Sequence, residues 1–169
     1  MKYLLYFFAA AAAVVLPGCG YKFGSTMHPQ INSVAVAPVT NETLSYNASA
    51  ILRQKLSEAF TVDGSLKLKT IGSADCIVYA RIIKVSYKES SGHLRSDDDF
   101  LPNEWTVTAD VEYSVIIPGR AKPLIGPQKV SGKAEFVSDA DLENSRLNGA
   151  RQALFDAARS IVSNLTEAW

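Results

Sequence analysis

The sequence predicts an α+β domain, a two-layer sandwich in which two helices pack on one face of a mixed four- to five-stranded sheet in the order β-α-β-β-β-β-α. Three observations predict it. The apolar period is 3.6 in two stretches and 2 in the stretches around them. Each helical stretch carries a single apolar stripe, and the strands share one strongly apolar face. Placing both helices on that face buries all three surfaces at once. No internal repeat occurs, and no linker is long enough to announce a second domain, so residues 31–169 read as one folded unit.

The elements follow in order. Ser33 to Val39 (SVAVAPV) alternates and is β-branched, hence a strand, with Pro38 expected to end its ladder or mark an edge. Thr40 to Asn47 is loop-like. Ala48, Ile51, Leu52, Leu56, Ala59 and Phe60 then recur at helical spacing, with Ser45 or Asn47 as candidate N-cap and Asp63-Gly64 as the stop. Leu66 to Ile71 (LKLKTI) alternates strictly, and Gly72-Ser73 turns the chain. Asp75 to Glu89 is the longest strand candidate, apolar on both faces from Cys76 to Val85, which suits a central strand.

Glu89 to Asn103 (ESSGHLRSDDDFLPN) reads as a polar loop. Trp105, Val107, Ala109, Val111, Tyr113 and Val115 then alternate with Thr106, Thr108, Asp110, Glu112 and Ser114, one packed face and one wet face. Pro118 to Pro127 is turn-like, and Lys129 to Val137 alternates again. From about Ala140 to Trp169 the period returns to 3.6, with Leu147, Ala150, Leu154, Ala157, Ala158, Ile161 and Leu165 in one stripe and Asp139 or Asp141 as cap. Gly149 interrupts it at a cost of about 1 kcal/mol relative to alanine. The first strand-helix-strand unit should be parallel, and the later strands should be antiparallel hairpins. The uncovered face would keep Thr106, Thr108, Asp110, Glu112, Ser131, Lys133 and Glu135.

The amino terminus reads separately. Lys2 is followed by an uncharged run from Tyr3 to Leu16, shorter than the roughly 20 apolar residues of a bilayer span and built like an export signal. Leu16-Pro17-Gly18-Cys19 has the form of a bacterial lipobox. Residues 1–18 would be the signal peptide, Cys19 the site of diacylglyceryl and acyl (palmitate-type) attachment, and residues 19–30 a lipidated tether. The alternatives are an ordinary signal with a chance cysteine and an uncleaved anchor. Two or more acyl chains anchor stably. Gly20 after the cysteine, rather than aspartate, points to the periplasmic face of the outer membrane.

With Cys19 taken by lipid, Cys76 has no partner and reads as a small core residue. Removing the leader leaves 151 residues with 16 basic against 17 acidic side chains, so no basic field marks a nucleic-acid binder.

Several strings together resemble the LPS-assembly lipoprotein LptE family: LPGCGY, SVAVAPV, VAPVTNET, ILRQKLSEAF, DGSLKL, ADCIVYARI and the terminal ARQALFDAARSIVSNL. The resemblance spans nearly the whole mature chain as a pattern of elements with scattered matches, and the segment from Ser90 to Asn103 stands outside it. It implies an outer-membrane lipoprotein that plugs an LptD-like β-barrel, assists its folding, and with it inserts lipopolysaccharide into the outer leaflet. It implies no cofactor.

Catalytic chemistry finds little footing. His28 and His93 are the only histidines, and neither stands at motif spacing from a nucleophile; no G-x-S-x-G, H-E-x-x-H or phosphate-loop string occurs. Asp97-Asp98-Asp99 lacks the spaced ligands and glycine of a calcium loop, and a solvated acidic loop accounts for it. The expectation is a non-enzyme that holds no metal. For anions, Lys67 and Lys69 lie on the short strand and Lys84 and Lys88 on the long one, with Arg81 on the opposite parity from Lys84 and Lys88. If those strands pair, the four lysines are lipopolysaccharide-binding candidates toward lipid A phosphates. The competing explanation is an edge guarded against aggregation. Phe100, Trp105 and Trp169 are candidate partner anchors, Trp105 also suiting the core. A rival function is an auxiliary lipoprotein subunit of an ABC-type envelope lipid transporter.

Overall fold

The computed structural model describes residues 30–91, 104–137 and 141–167. The leader, Cys19 with most of the tether, both histidines, Asp97 to Asp99, Phe100, Asp139 and Trp169 lie outside the described residues. The elements are β1 (Ser33–Val36), β2 (Thr40–Asn41), α1 (Ala48–Asp63), β3 (Lys67–Leu68), β4 (Cys76–Ser91), β5 (Glu104–Ile116), β6 (Ile125–Val137) and α2 (Leu142–Thr166). Two helices cover one face of an open mixed sheet in the order β3-β1-β4-β5-β6, with β2 also pairing β4. This is the α+β arrangement the periodicities predict. β1 and β2 count as one strand broken at Pro38.

That break has a simple cause. Ala37 donates its backbone N–H to Val78 and Glu42 donates to Ile82, but proline between them has no N–H to give. The ladder therefore lapses and resumes two residues later. β1 runs parallel to both β3 and β4, whereas β4, β5 and β6 are antiparallel. β4 is thus the strand where the parallel part of the sheet hands over to the antiparallel part.

The third strand is shorter than its alternation implies. After Lys69 donates to Val34, the chain turns, and Ser73 and Ala74 both donate to the Thr70 carbonyl. Leu66 is buried, but Leu68 and Ile71 are 44% and 43% exposed because β3 is an edge strand. The sixth strand is longer than expected, taking in Gly126 and Pro127; it is the opposite edge, where proline is tolerated.

Helix ends follow the sequence in most respects. Gly64 adopts φ 71° and donates back to Phe60, closing α1. Asp141 accepts the Asn144 N–H at the start of α2. Asn47 does occupy the N-cap of α1, but in a left-handed conformation (φ 58°) and without a capping side-chain bond.

Between the layers, Leu52, Leu56 and Phe60 of α1 meet Leu154, Ile161 and Leu165 of α2 over Val34, Val78, Ile82, Val107, Val111 and Tyr113. The Tyr113 hydroxyl donates to Gln128 (3.1 Å) and accepts from Asn164 (3.2 Å), pinning α2 to the two outer antiparallel strands. Two glycines set how closely α2 approaches. A Cβ on Gly132 would stand 2.0 Å from the Ala153 carbonyl oxygen and 2.3 Å from the Ala157 nitrogen. One on Gly149 would meet Phe136 at 2.7 Å. The helix backbone lies directly on β6, and Asp156 accepts the Lys133 backbone N–H (3.0 Å). Gly149, a propensity cost when read from sequence, is a packing requirement.

Asp75 fixes the start of the parallel register. Its carboxylate accepts from the Ser33 hydroxyl (2.8 Å) and the Asn32 backbone N–H (3.0 Å), and its own N–H donates to the Ser33 oxygen (3.1 Å). The Ser33 hydroxyl first, then the Asn32 amide, hold this carboxyl below the usual aspartate range.

Two outcomes follow from this packing. Gly132→Ala should cost about 3 kcal/mol through forced separation of α2 from β6, whereas Gly126→Ala, with nothing within 4 Å, should stay within about 0.5 kcal/mol; urea midpoints compare them. The Asp75 contribution exists only while its carboxyl is ionised. The stability gap between wild type and Asp75→Asn should therefore hold from about pH 7 to pH 5 and shrink as pH falls below about 4. A gap unchanged down to about pH 2 would mean the ionised carboxylate is not its source.

Candidate functional surface

The face of the sheet away from the helices is the broad surface left to present. Its character depends on one residue of β4. Opposite β5, Arg81 pairs with Glu112 and Ile82 with Val111, but Lys84, not Ile83, pairs with Asp110. Ile83 is an extra residue, a β-bulge that shifts the side-chain phase. Before it, Cys76, Val78, Ala80 and Ile82 face the helices; after it, Val85 and Tyr87 do, opposite Ala109 and Val107. Arg81, Lys84 and Lys88 therefore share the open face. The strict parity count, which separates Arg81 from the two lysines, is corrected by the bulge.

The open face is a set of cross-strand rows. Arg81, Glu112 and Lys129 form one, Lys84, Asp110 and Ser131 the next, then Ser86, Thr108 and Lys133, and finally Lys88, Thr106 and Glu135. Thr106, Thr108, Asp110, Glu112, Ser131, Lys133 and Glu135 all stand where the alternation places them. Arg81 bridges Glu42 (2.9 Å) and Glu112 (2.5 Å), and Glu112 chiefly holds the guanidinium above its ordinary range. The Ser131 hydroxyl donates to Asp110 at 2.6 Å. Exposed pairs of this kind contribute about 0–1 kcal/mol each. Their effect is to keep the face hydrated and its charges mixed.

The four lysines do not come together. β3 pairs β1, and β1 separates it from β4. Leu68 is level with Val34 and Val34 with Cys76, so Lys67 and Lys69 lie near the start of β4. Lys84 lies eight residues further along, roughly 25 Å away at strand rise. The single positive edge expected from pairing of those strands is not formed. Lys84 and Lys88 are exposed on the open face, whereas Lys67 and Lys69 are exposed on the far edge.

Other groups fall as follows. Cys76 is fully buried, its thiol pushed up to about 12 by burial and the neighbouring Asp75 charge, and it touches the Ser33 carbonyl oxygen at 3.5 Å. This is the small core residue the sequence predicts. Among the described residues, no group of three or more histidine, cysteine or acidic side chains could hold a metal, and no helix is long and apolar enough to cross a membrane. Trp105 is half-buried and stacks on Phe136 with centroids 6.5 Å apart. The bulge is the feature sequence reasoning missed, although its signal is present: the apolar phase slips between Ile82 and Val85.

No protein-family model matches the chain, and no curated protein matches it. The fold does have relatives among solved structures. Protein XCC0632 from Xanthomonas campestris is 11% identical, with a TM-score of 0.57 over 86% of each chain. A minor lipoprotein from Acinetobacter baumannii is 12% identical, with a TM-score of 0.51 over 82% of this chain and 99% of its own. Protein CT253 from Chlamydia trachomatis is 16% identical, with a TM-score of 0.50 over 79% of this chain and 95% of its own. At these identities the likeness is one of fold.

The bulge supplies this surface's own test. Deleting Ile83 would turn Lys84, Ser86 and Lys88 toward the helices or strip β4 of its second half, and should cost more than about 4 kcal/mol. Ile83→Ala keeps the phase and should cost about 1 kcal/mol. Near-ultraviolet circular dichroism melts distinguish loss of the cooperative fold from a small shift.

Proposed function

We propose that the chain is a non-catalytic, lipid-anchored protein of the periplasmic face of the outer membrane, resembling LptE. In this reading it plugs an LptD-like β-barrel, assists the barrel's assembly, and contacts the lipopolysaccharide that the barrel inserts. The observation that carries the reading is the pairing of Leu16-Pro17-Gly18-Cys19 with a domain whose uncovered sheet face is polar and of mixed charge. A plug inside a hydrated barrel needs such a face, because polar barrel side chains must be met by polar partners. The name of the Acinetobacter neighbour, a minor lipoprotein, supports the anchored class. The buried, high-pKa thiol supports an inert interior.

Lipopolysaccharide contact is assigned to the Lys84 and Lys88 side of the sheet, where both ammonium groups are exposed. Lys67 and Lys69 guard the β3 edge.

Detergent extraction of the native protein, with identification of what co-elutes, tests the proposal. An outer-membrane β-barrel should co-elute. Inner-membrane transporter subunits in its place would support the ABC-transporter lipoprotein instead. In the same preparations, Cys19→Ala should release the protein from membranes, and Lys84→Glu with Lys88→Glu should weaken lipopolysaccharide binding about tenfold without moving the melting temperature. Membrane retention of Cys19→Ala would refute lipid anchoring.

A further inference from the structure

The first strand of a domain, next to its tether, is ordinarily where a fold frays. In this chain it is among the most enclosed elements. Ser33, Val34, Ala35, Val36 and Ala37 are each no more than 7% exposed. β1 lies between β3 and β4 and runs parallel to both, so it is paired on two sides. Val34 and Val36 enter the main core under the helices. On the other face Ala35 and Ala37 are buried in a second apolar cluster with Ala74 and Ile77. Ala74 comes from the connection between β3 and β4, the strands on either side of β1.

The point of entry is tied from both sides. The Asn32 N–H and the Ser33 hydroxyl donate to the Asp75 carboxylate of the strand on one side, and the Asn32 carbonyl accepts the Lys67 N–H (3.0 Å) of the strand on the other. Further in, the Val34 carbonyl accepts from Lys69 (2.9 Å), while Ala37 and Glu42 donate to Val78 (2.9 Å) and Ile82 (3.0 Å). From Asn32 to Glu42 the chain is therefore bonded along β4, with one lapse at Pro38. The direction of these bonds has a mechanical consequence. The chain enters from Gln30 and runs along β1 in the same sense as β4. With the far end of β4 held, tension on the tether slides β1 past β4 and loads the bonds between them together. Tension across the strands opens the same bonds one after another. Bonds to an ionised carboxylate are roughly twice as strong as neutral ones, and here they stand where the load arrives. The end of α2 offers the contrasting direction. Thr166 donates to Asp63 (3.3 Å), and Asp63 closes α1 just before Lys67, which is level with Ser33. Gln30 and Glu167 thus lie at the same end of the sheet, and tension between them runs across the strands.

We propose that β1, enclosed between β3 and β4 and hooked by Asp75, is a load-bearing junction that holds the domain to its membrane anchor against tension along the sheet. The tension is that between a membrane-held tether and a partner gripping the far part of the sheet. Burial of the strand keeps water from replacing a strained bond. Loss of the strand would uncover Val34 and Val36 and with them the main core, so the domain yields there only by unfolding. The assignment to an anchor rests on the lipoprotein reading, whereas the mechanical property belongs to the fold and is measured without lipid.

Optical tweezers test it on the full chain made by cell-free synthesis without membranes, where the Cys19 thiol takes one DNA handle. Cys76 is buried with its thiol pushed up to about 12, so it does not compete. The second handle sits on Lys88→Cys, toward the far end of β4, or on Glu167→Cys, at the near end of the sheet. At equal constant force the Lys88→Cys chain should survive at least about tenfold longer than the Glu167→Cys chain. Asp75→Asn should shorten survival about tenfold in the first direction and less than about twofold in the second. Ser33→Ala should act in the same way, and it decides the matter if Asp75→Asn fails to fold. Equal survival in the two directions would overturn the proposal, as would an effect of these substitutions that is the same in both. Retention of Cys19→Ala on membranes would overturn the assignment to a lipid anchor while leaving the direction dependence in place, so the two failures are told apart.

Discussion

The structure depends on β4 serving two different settings within one sheet. Its first half is a central strand, covered by helices on one face and backed on the other by a small apolar cluster of Ala35, Ala37, Ala74 and Ile77. Its second half is one arm of a long antiparallel ribbon with β5. A strand in the first setting can be apolar on both faces, whereas one in the second must alternate. The single extra residue at Ile83 stands where the two patterns would otherwise conflict. It lets both halves direct apolar side chains to the helix-covered face while Arg81, Lys84 and Lys88 stay on the open one. Asp75 at one end and Ile83 in the middle together fix the register, the first by hydrogen bonds to Asn32 and Ser33 and the second by geometry.

Helix α2 turns that register into a stable layer. Its stripe is made largely of alanine, and Ala153 and Ala157 bring the helix backbone onto Gly132 of β6. Close backbone approach leaves little space for water and makes the edge strand inaccessible to a neighbour from that side. Asp156, accepting the Lys133 N–H, satisfies one outward amide of the edge. The opposite edge, β3, is short and carries Lys67, with Lys69 just beyond its end. The second half of β4 carries Lys84 and Lys88 on its open face and Glu89 on its helix side, charges that blunt an exposed edge.

Sequence patterning reveals most of this fold because burial here is one-sided in the elements that matter most. β5 reads as alternation along its whole length, and the α2 stripe from Ala150 to Leu165 is buried as its spacing implies. The pattern misleads where an element outruns its cover. Leu68 alternates correctly with Leu66 but stands on an edge strand, and Ile71 lies in the turn beyond it, so their apolarity does not report a core. Leu147 likewise fits the stripe yet is 36% exposed, near the start of α2. Gly149 is the converse: propensity marks it as a cost, but the side chains of Val107 and Phe136 fill the space a Cβ would need.

Candidate sites are harder to read than the fold, for a physical reason. Phosphate recognition by lysines is a matter of distance between charges, and distance across a sheet is set by strand order rather than by spacing in the chain. LKLK and the lysines of the long strand look like neighbours only if their strands pair in a register that brings them level; with β1 between the strands and Lys84 eight residues further along β4, the charges stand roughly 25 Å apart, well beyond the Debye length of about 8 Å at physiological salt. Arg146 presents the opposite case. In sequence it is one polar residue on a long helix, without motif or periodicity. Its character arises only when Tyr87 and Trp105 from two strands close on its guanidinium and Leu44 and Tyr46 arrive from a loop a hundred residues earlier. Surfaces assembled from single residues on separate elements leave no local trace, so in a chain of this kind the proposed lipobox around Cys19 is a local string of residues, whereas the arrangement of side chains on the sheet emerges only once the strands assemble.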